Sequence, residues 1–432
     1  LALISFRTSA LSLIPVANCM DGFSTSHMLS EARLPEDDLV REYLGDPTCR
    51  IKCPTVAQEI LYGDAQGMRQ LVPSLVDTDN PGMSGAVQNQ PDFQSGVADS
   101  RTHFAADVPR LARRAMDEYN ALTGREYAPV RTFMCEDAEV ILVGLGSITQ
   151  DVQAVLPHLR RQGIKVGLVQ ILQLAPFPEA DFVRAIGEVR HIAVLERSDM
   201  AALTDLVNVA LWKAAQNQAA RTPQTSLEPR LPHPDVPALA GPLPTTSSAF
   251  FGIGGHDVQP RHLIALAKTL NDGDLAPEVY LGTTFFDDSA RGEMRELQDR
   301  LRAAYPETQR MQLRLEENPA DLLPPDAIRL RFHSVGGYGT IATGKLLTDI
   351  LAEMLQMRSK AAPKYGSEKS GAPTNYYITL SPEPVLITNA ALEDCEVVIS
   401  PDHMVFMHDN PLRGLVRRFS GQVDRIGTDM AP

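Results

Sequence analysis

The chain is poor in cysteine and tryptophan, has no long apolar run, and lacks any surplus of positive charge. Its five cysteines, Cys19, Cys49, Cys53, Cys135 and Cys395, are an odd number spread over 432 residues. That argues against a disulfide framework and suits a reducing, cytoplasmic compartment. The same scarcity leaves no tight run of about four cysteines to hold an iron–sulfur cluster in this stretch. Cys49 and Cys53 stand four apart in PTCRIKCP, a spacing that feeds a metal site only with a second Cys/His pair, and none is nearby. Surface thiols in an irregular loop are the plainer reading, and no metal site is assigned. The net charge of −14 lacks the clustered Lys and Arg that phosphate neutralisation requires, so no nucleic-acid partner is expected. No stretch is apolar enough to span a bilayer, so no membrane partner is expected either.

What is present is ordinary globular composition, 44% hydrophobic and 22% charged, in a length that suggests two to four domains. The opening LALISFRTSALSLIPVANCMDGF reads as a buried strand and its exit, followed by the turn MDGFSTSH. Ser5, Arg7, Thr8, Ser9 and Ser12 break its apolar run, which rules out a signal peptide. With Leu1 in place of Met, the chain reads as an internal piece of a longer protein. Residues 46–100 are rich in Pro, Gly, Asn and Gln and read as ordered loop wrapping a surface. A helix is expected at DVPRLARRAMDEYNALTG, with Asp107 as N-cap, Pro109 in the first turn and Gly124 as the stop. Residues 1–130 thus look like the end of one α/β domain.

A second unit, residues 131–290, opens with a buried strand from Val140 to Val143, a glycine turn, a helix to Arg161, the stop Gly163 and a strand from Val166 to Leu172. This is a βαβ crossover and implies a parallel sheet. HIAVLERSD supplies a third strand, and VNVALWKAA a helix with the only Trp, Trp212. Residues 217–248 are Pro/Ala-rich without a period and read as a flexible or extended insertion. A charged helix, SARGEMRELQDRLRAAY, leads through a linker read as 291–325 to a third unit, 326–432.

That third unit contains RFHSVGGYGTIATGKLLTDILAEML, in which a β-like run, a glycine turn and an amphipathic helix suggest a phosphate cradle. Gly337, Gly339 and Gly344 have the wrong third spacing for a dinucleotide fingerprint, and no acidic strand end follows about 20 residues on. Gly339, Gly344 and Lys345 satisfy G-x-x-x-x-G-K, but Leu346 stands where a P-loop places the Ser or Thr that ligates Mg²⁺. The structural alternative is close strand–helix packing, with Leu346, Leu347, Ile350, Leu351 and Met354 as the buried face. A second loop, KYGSEKSGAPTNYYI, carries Lys364 and Lys369, which could converge on an anion near the helix N-terminus.

GGYGTIATGK followed by KYGSEKSGA resembles the third domain of pyruvate:ferredoxin (flavodoxin) oxidoreductases, which write these loops as G-x-G-S-D-G-T-V-G-A-N-K and Y-D-S-K-K-S-G-G. MDGFSTSHMLSE, NPGMSGAVQNQPDFQ and EYNALTGREY are similar to further family motifs, in the same order. VGLGSITQDVQAVLPHLRRQGIKVGLVQILQLAPFP and HIAVLERSD resemble its second, transketolase C-terminal-like domain. The resemblance covers nearly all of the chain outside residues 46–75, 214–248 and 286–325. It implies an α/β chain of several parallel-sheet, three-layer domains: the end of a thiamine-diphosphate-binding-like domain, the transketolase C-terminal-like domain, and the start of a Rossmann-like gamma domain.

The activity implied is oxidative decarboxylation of a 2-oxoacid to acyl-CoA, with thiamine diphosphate, Mg²⁺ and [4Fe-4S] clusters as cofactors and coenzyme A as co-substrate. Ferredoxin or flavodoxin would accept the electrons, and the remaining domains or subunits, in a cytoplasmic homodimer, would complete the enzyme. The motifs for thiamine and the clusters are not in this stretch, so the stretch by itself is expected to be inactive and its catalytic residues are not assigned. Ser24 replaces the family's usual Arg, Met28 its Glu, and Gly337-Tyr338 its Ser-Asp, which leaves the 2-oxoacid, pyruvate or another, open. By their match to the two loops, Gly336, Gly337, Gly339, Thr340, Lys369 and Ser370 would hold coenzyme A phosphate. The competing reading is a noncatalytic coenzyme A- or nucleotide-binding assembly module, or a P-loop-like ATP-binding protein. Asp21, Thr25, Ser26 and His27 sit at a strand exit, where an interface or turn role is favoured. His103, His256 and His403 are isolated, and no catalytic part is read for Glu196 or Arg197.

Overall fold

A computed structural model describes residues 1–22, 24–74, 89–221, 231–316, 320–365, 373–387, 391–401 and 405. These form two compact units, the first from Leu1–Cys19, Arg33–Arg131 and Leu172–Asp181, the second from Met20–Ala32, Thr132–Ile171 and Phe182–Pro432.

In the first unit the opening residues form a helix, Ala2–Ser12, where a strand is expected from the sequence. The buried residues Ile4, Thr8, Leu11 and Ser12 fall on one helical face, and the hydroxyls that blur the apolar pattern are buried with them. Thr8 donates its hydroxyl to the Ile4 carbonyl at 2.8 Å, so it needs no partner outside the helix. This face packs with Tyr43, Leu111, Ala115, Met116 and Tyr119 in one core. Tyr43 Oη donates to the Ala115 carbonyl at 2.7 Å. The helix Val108–Thr123 stands where expected, with Pro109 in its first turn and Gly124 left-handed at its end. Asp107 precedes it, but its carboxylate turns to Arg110 at 2.7 Å instead of capping the backbone.

Residues 46–100 are less loop-like than their composition suggests. The described part contains an antiparallel ribbon, Arg50–Lys52 with Met68–Gln70, and the helices Val56–Tyr62 and Gln90–His103; 75–88 lie outside the described residues. The ribbon is held by Arg69, which is 2% exposed. It donates to Gln58 Oε1 at 2.8 Å, to the carbonyls of Gln70 and Leu71, and to Ala10 and Leu11 at the end of the first helix. A cation over a helix C-terminus is favourably placed.

In the second unit Val166–Ile171, Val140–Gly144, His191–Glu196, Thr245–Phe250 and Glu278–Tyr280 run parallel in that spatial order. The βαβ crossover is present with helix Ile148–Arg161 and a left-handed Gly163 after it. Chain direction reverses beside the first strand, so the crevice between Val140–Gly144 and His191–Glu196 is the switch point of a doubly wound sheet. Strand residues Val140 to Val143 are fully buried, as a sheet covered on both faces requires.

The Pro/Ala-rich stretch differs from a flexible insertion in its described parts. Helix Ala202–Arg221 runs through its beginning, and Thr245–Phe250 near its end is a sheet strand. Between them the fully buried Asn217 donates to the carbonyls of His233 at 2.7 Å and Val236 at 2.6 Å. Residues 222–230 lie outside the described set.

The second sheet has the order Leu29–Ser30, Arg358–Tyr365, Pro373–Ser381, Ile328–Val335 and Val397–Ile399. The α/β class holds, but strand directions here are mixed. Ile328–Val335 and Arg358–Tyr365 are parallel and joined by helix Thr340–Leu355, as a crossover demands, yet Pro373–Ser381 lies between them and pairs antiparallel with both. Its pairing with Ile328–Val335 is non-local, and local periodicity does not reveal it.

One face of this sheet is apolar, with Leu330, Phe332, Tyr376, Ile378 and Ala361 packed beneath the helix. The helix seats itself differently from the expected face. Thr340, Gly344 and Thr348 are buried, Leu347 and Leu351 are half-buried, and Leu346, Ile350 and Met354 are 61%, 41% and 76% exposed. Small residues at the contact let the helix approach closely, which rolls its larger side chains outward.

Candidate functional site

Strand Ile328–Val335 ends into Gly336 and Gly337, and helix Thr340–Leu355 begins after Gly339. Gly337 has φ 104° and Gly339 φ 76°, backbone conformations that side chains rarely tolerate. A Cβ added to Gly339 would meet nothing within 4 Å, so conformation, together with open space before the helix, accounts for glycine here. The first N–H groups of a helix have no partners within it, and they carry the positive end of its dipole. Thr340, the first helical residue, is only 5% exposed, and its Oγ1 is a buried polar atom without a hydrogen-bond partner among the described residues. A stranded hydroxyl costs about 1–3 kcal/mol, a cost that an acceptor ligand would remove. Backbone donors, an open glycine turn and an unpaired hydroxyl together form a cradle suited to an anion with several oxygens.

Of the residues predicted for this cradle, the structure brings Gly336, Gly337, Gly339 and Thr340 together in one turn; Lys369 and Ser370 lie outside the described residues. Lys364 does not converge on the turn. Its Nζ lies 3.5 Å from Asp257 Oδ2. The P-loop reading fails on geometry as well as on Leu346. Its Gly-Lys pair should open the helix, but Gly344 and Lys345 lie inside Thr340–Leu355, and a Cβ on Gly344 would fall 2.7 Å from Cγ of Tyr376. Gly344 is a packing glycine.

A second constellation lies at the switch point of the parallel sheet. Three strand ends deliver Ser147, Arg197, and Phe251 with Gly252 around a small cavity of about 60 Å³. Ser24 of the DGFSTSH segment also lines it. Asp21 accepts a hydrogen bond from the Ser147 backbone N–H at the N-terminus of helix Ile148–Arg161, and its Oδ1 lies 3.8 Å from Arg197. Arg197 Nη1 donates to Ser24 Oγ at 3.0 Å. An internal carboxylate therefore fills the position that open α/β sheets offer to an anion. Ser26 and His27 are joined through Oγ and Nδ1 at 2.8 Å, and the His27 ring meets that of Tyr365 edge-on at 6.4 Å. The interface or turn role expected for the segment is, in this unit, an internal one.

The remaining candidates have local explanations. Glu196 is buried and accepts from Thr204 N at 2.6 Å and Oγ1 at 2.8 Å, capping helix Ala202–Arg221. His103 lies 3.9 Å from Asp99, His256 Nε2 lies 3.1 Å from the Gly282 carbonyl, and His403 is outside the described residues. Cys49 is exposed, but Cys53 is buried at the end of the ribbon, which pushes its thiol pKa up. Among the described residues no three His, Cys, Asp or Glu side chains gather as a metal site would require.

Sequence reasoning missed Lys360. Its ammonium is pushed down to about 8, chiefly because it is desolvated, with Asp151 acting in the opposite sense. It also missed His262, pushed down to about 4 by burial and by Arg261 and His256. Both shifts arise from tertiary packing, which leaves no local signal.

The fold is that of an α/β protein with an open glycine turn at the N-terminus of helix Thr340–Leu355. Residues 138–222 match the family model for pyruvate:ferredoxin oxidoreductase core domain II, and 329–416 match that for pyruvate ferredoxin/flavodoxin oxidoreductase. A putative pyruvate-flavodoxin oxidoreductase of Synechocystis sp. is 24% identical over 90% of this chain and 27% of its own length. The pyruvate synthase subunit PorA of Methanothermobacter thermautotrophicus is 26% identical over 62% of this chain and 57% of its own. A solved 2-oxoglutarate:ferredoxin oxidoreductase from Magnetococcus marinus aligns at TM-score 0.25 and 18% identity, over 46% of this chain and 29% of that one. Two family models over separate parts of the chain, and relatives aligned over most of it, show that it is similar to pyruvate:ferredoxin (flavodoxin) oxidoreductases. The chain spans 27% and 28% of the length of two pyruvate-flavodoxin oxidoreductases it matches.

Proposed function

We propose that this chain is part of a thiamine-diphosphate-dependent 2-oxoacid:ferredoxin/flavodoxin oxidoreductase, with pyruvate the substrate its relatives' names favour, and that its glycine turn holds a phosphate of coenzyme A. The observation that carries the second claim is the Thr340 hydroxyl, which has no partner among the described residues, beside Gly337 and Gly339 in left-handed conformations. Thr340 Oγ1 and the first helical N–H groups would donate to phosphate oxygens, while the glycines keep side chains out of the approach. Lys369 and Ser370 would add charge and a hydroxyl from the second loop. The noncatalytic and P-loop readings are less favoured, because Lys345 lies within the helix and Leu346 offers no metal ligand.

Thiamine diphosphate, Mg²⁺ and iron–sulfur clusters belong to the proposal for the whole enzyme; among the described residues no three His, Cys, Asp or Glu side chains gather as a metal site would require. A soluble cytoplasmic homodimer, with ferredoxin or flavodoxin as acceptor, belongs to it too. No helix among the described residues is long and apolar enough to cross a membrane. The test is the 2-oxoacid- and coenzyme A-dependent reduction of an artificial acceptor by the whole enzyme that carries this chain. With Gly339→Val, the KM for coenzyme A should rise and that for the 2-oxoacid should not; an unchanged KM for coenzyme A would remove the assignment.

A further inference from the structure

The polar face of the second sheet carries a cavity of about 120 Å³. Strand register sets Arg329, Thr379 and Lys360 side by side in one cross-strand row, and all three line this cavity. Arg261, Leu322 and Val385 contribute to its walls. Arg329 is neutralised by Glu396 at 2.7 Å, and Arg261 by Glu393 at 2.6 Å. Lys360 differs, for its Nζ donates to neutral acceptors, the Leu386 carbonyl at 2.9 Å and Gln150 Oε1 at 3.2 Å. A neutral primary amine has two N–H groups and one lone pair. These two acceptors engage two N–H groups, so that in the neutral amine the remaining position on nitrogen is the lone pair.

We propose that Lys360 is a nucleophilic amine serving this cavity, and that the cavity takes a small carbonyl compound, an aldehyde or 2-oxo acid, which Lys360 holds as an imine. A dry cavity of about 150 Å³ accommodates benzene, so a molecule of about six heavy atoms or fewer matches the space. The nitrogen lone pair adds to the carbonyl carbon and the two amine protons pass to the carbonyl oxygen. That oxygen leaves as water, and a C=N bond replaces C=O without any oxidant or reductant. Burial that brings the ammonium down to about 8 supplies the neutral amine this step needs. Asp151, which follows Gln150 on helix Ile148–Arg161, opposes that shift, while Asp321 and Glu393 in the cavity wall are paired to Arg329 and Arg261. No residue of the glycine turn lines this cavity, so the role of Lys360 does not depend on what that turn binds.

The test uses glyoxylate, with pyruvate in parallel, and sodium cyanoborohydride on the 432-residue chain at pH 8, followed by peptide mapping. At that pH an exposed lysine, with a pKa near 10.4, is neutral to well under about 1%, whereas an amine titrating near 8 is about half neutral. Lys360 should be alkylated at least about tenfold faster than the exposed Lys345, and urea should abolish the difference. Lys360→Arg should lose the fast adduct and leave the slow ones. Equal rates at Lys360 and Lys345 in the native chain overturn the proposal, as does a fast adduct that persists in Lys360→Arg. The native comparison needs no variant, so it stands even where the substitution unfolds the sheet.

Discussion

Gly344 and Tyr376 define how the glycine-loop helix meets its sheet. A Cβ at Gly344 would fall 2.7 Å from Cγ of a fully buried tyrosine ring. Alanine would gain about 1 kcal/mol of helix propensity, but overpacking against a rigid ring costs about 1–3 kcal/mol. Gly344→Ala should therefore lower the urea midpoint without changing the slope, and Tyr376→Leu should recover part of the loss in the double variant. A stabilised Gly344→Ala would show that the helix does not rest there.

Asp21 and Ser147 form the second such relationship, with the carboxylate at the N-terminus of helix Ile148–Arg161. Removing a cap of this kind costs about 0.5–2 kcal/mol. Asp21→Ala should lower the thermal midpoint, and Gly146→Ala, whose Cβ would fall 2.6 Å from the Asp21 carboxylate at φ 74°, should do the same. Because both act on one contact, the double variant should lose less than the sum. Full additivity would mean that the segment does not seat in the crevice.

His262 predicts acid sensitivity. Its ring is 5% exposed, its Nδ1 accepts from the Gln259 backbone N–H at 3.0 Å, and its pKa is pushed down to about 4. The unfolded chain takes up a proton near 6.5 while the folded one does not, so between these values the unfolded state binds more protons and stability falls as pH falls. The loss begins below about pH 6.5 and reaches up to about 3 kcal/mol near pH 4. His262→Gln keeps an acceptor that reaches back to the same N–H and removes the titration. Urea titrations at pH 7, 5.5 and 4.5 should show a smaller acid loss in the variant than in the parent chain.

Local signals were legible where geometry is local. Gly163 after the crossover helix, and Pro109 and Gly124 around Val108–Thr123, could each be assigned from sequence because proline and glycine act through their own backbone. The first helix was hidden because hydroxyl side chains that bond within a helix look polar in the sequence. That Pro373–Ser381 inserts between the two crossover strands was hidden, because its pairing with Ile328–Val335 reaches across the intervening helix and strand. The strand, glycine turn and helix were legible together, but the packing role of Gly344 needed coordinates. Gly339 faces open space and Gly344 faces Tyr376. Asp21 meeting Ser147, and the desolvation of Lys360, are wholly tertiary.

The assignment of the glycine turn to coenzyme A is tested most directly by calorimetry of the chain and its Thr340→Val variant, titrated with coenzyme A and with ATP, each with and without Mg²⁺. Valine replaces a buried, unpaired hydroxyl with a methyl group, so the ligand-free protein should lose no stability. A lost hydrogen bond to a charged phosphate should weaken coenzyme A by about 1.5–3 kcal/mol, at least about tenfold, whether or not Mg²⁺ is present. Equal coenzyme A affinity in both proteins, or ATP binding more tightly than coenzyme A and only with Mg²⁺, would contradict it.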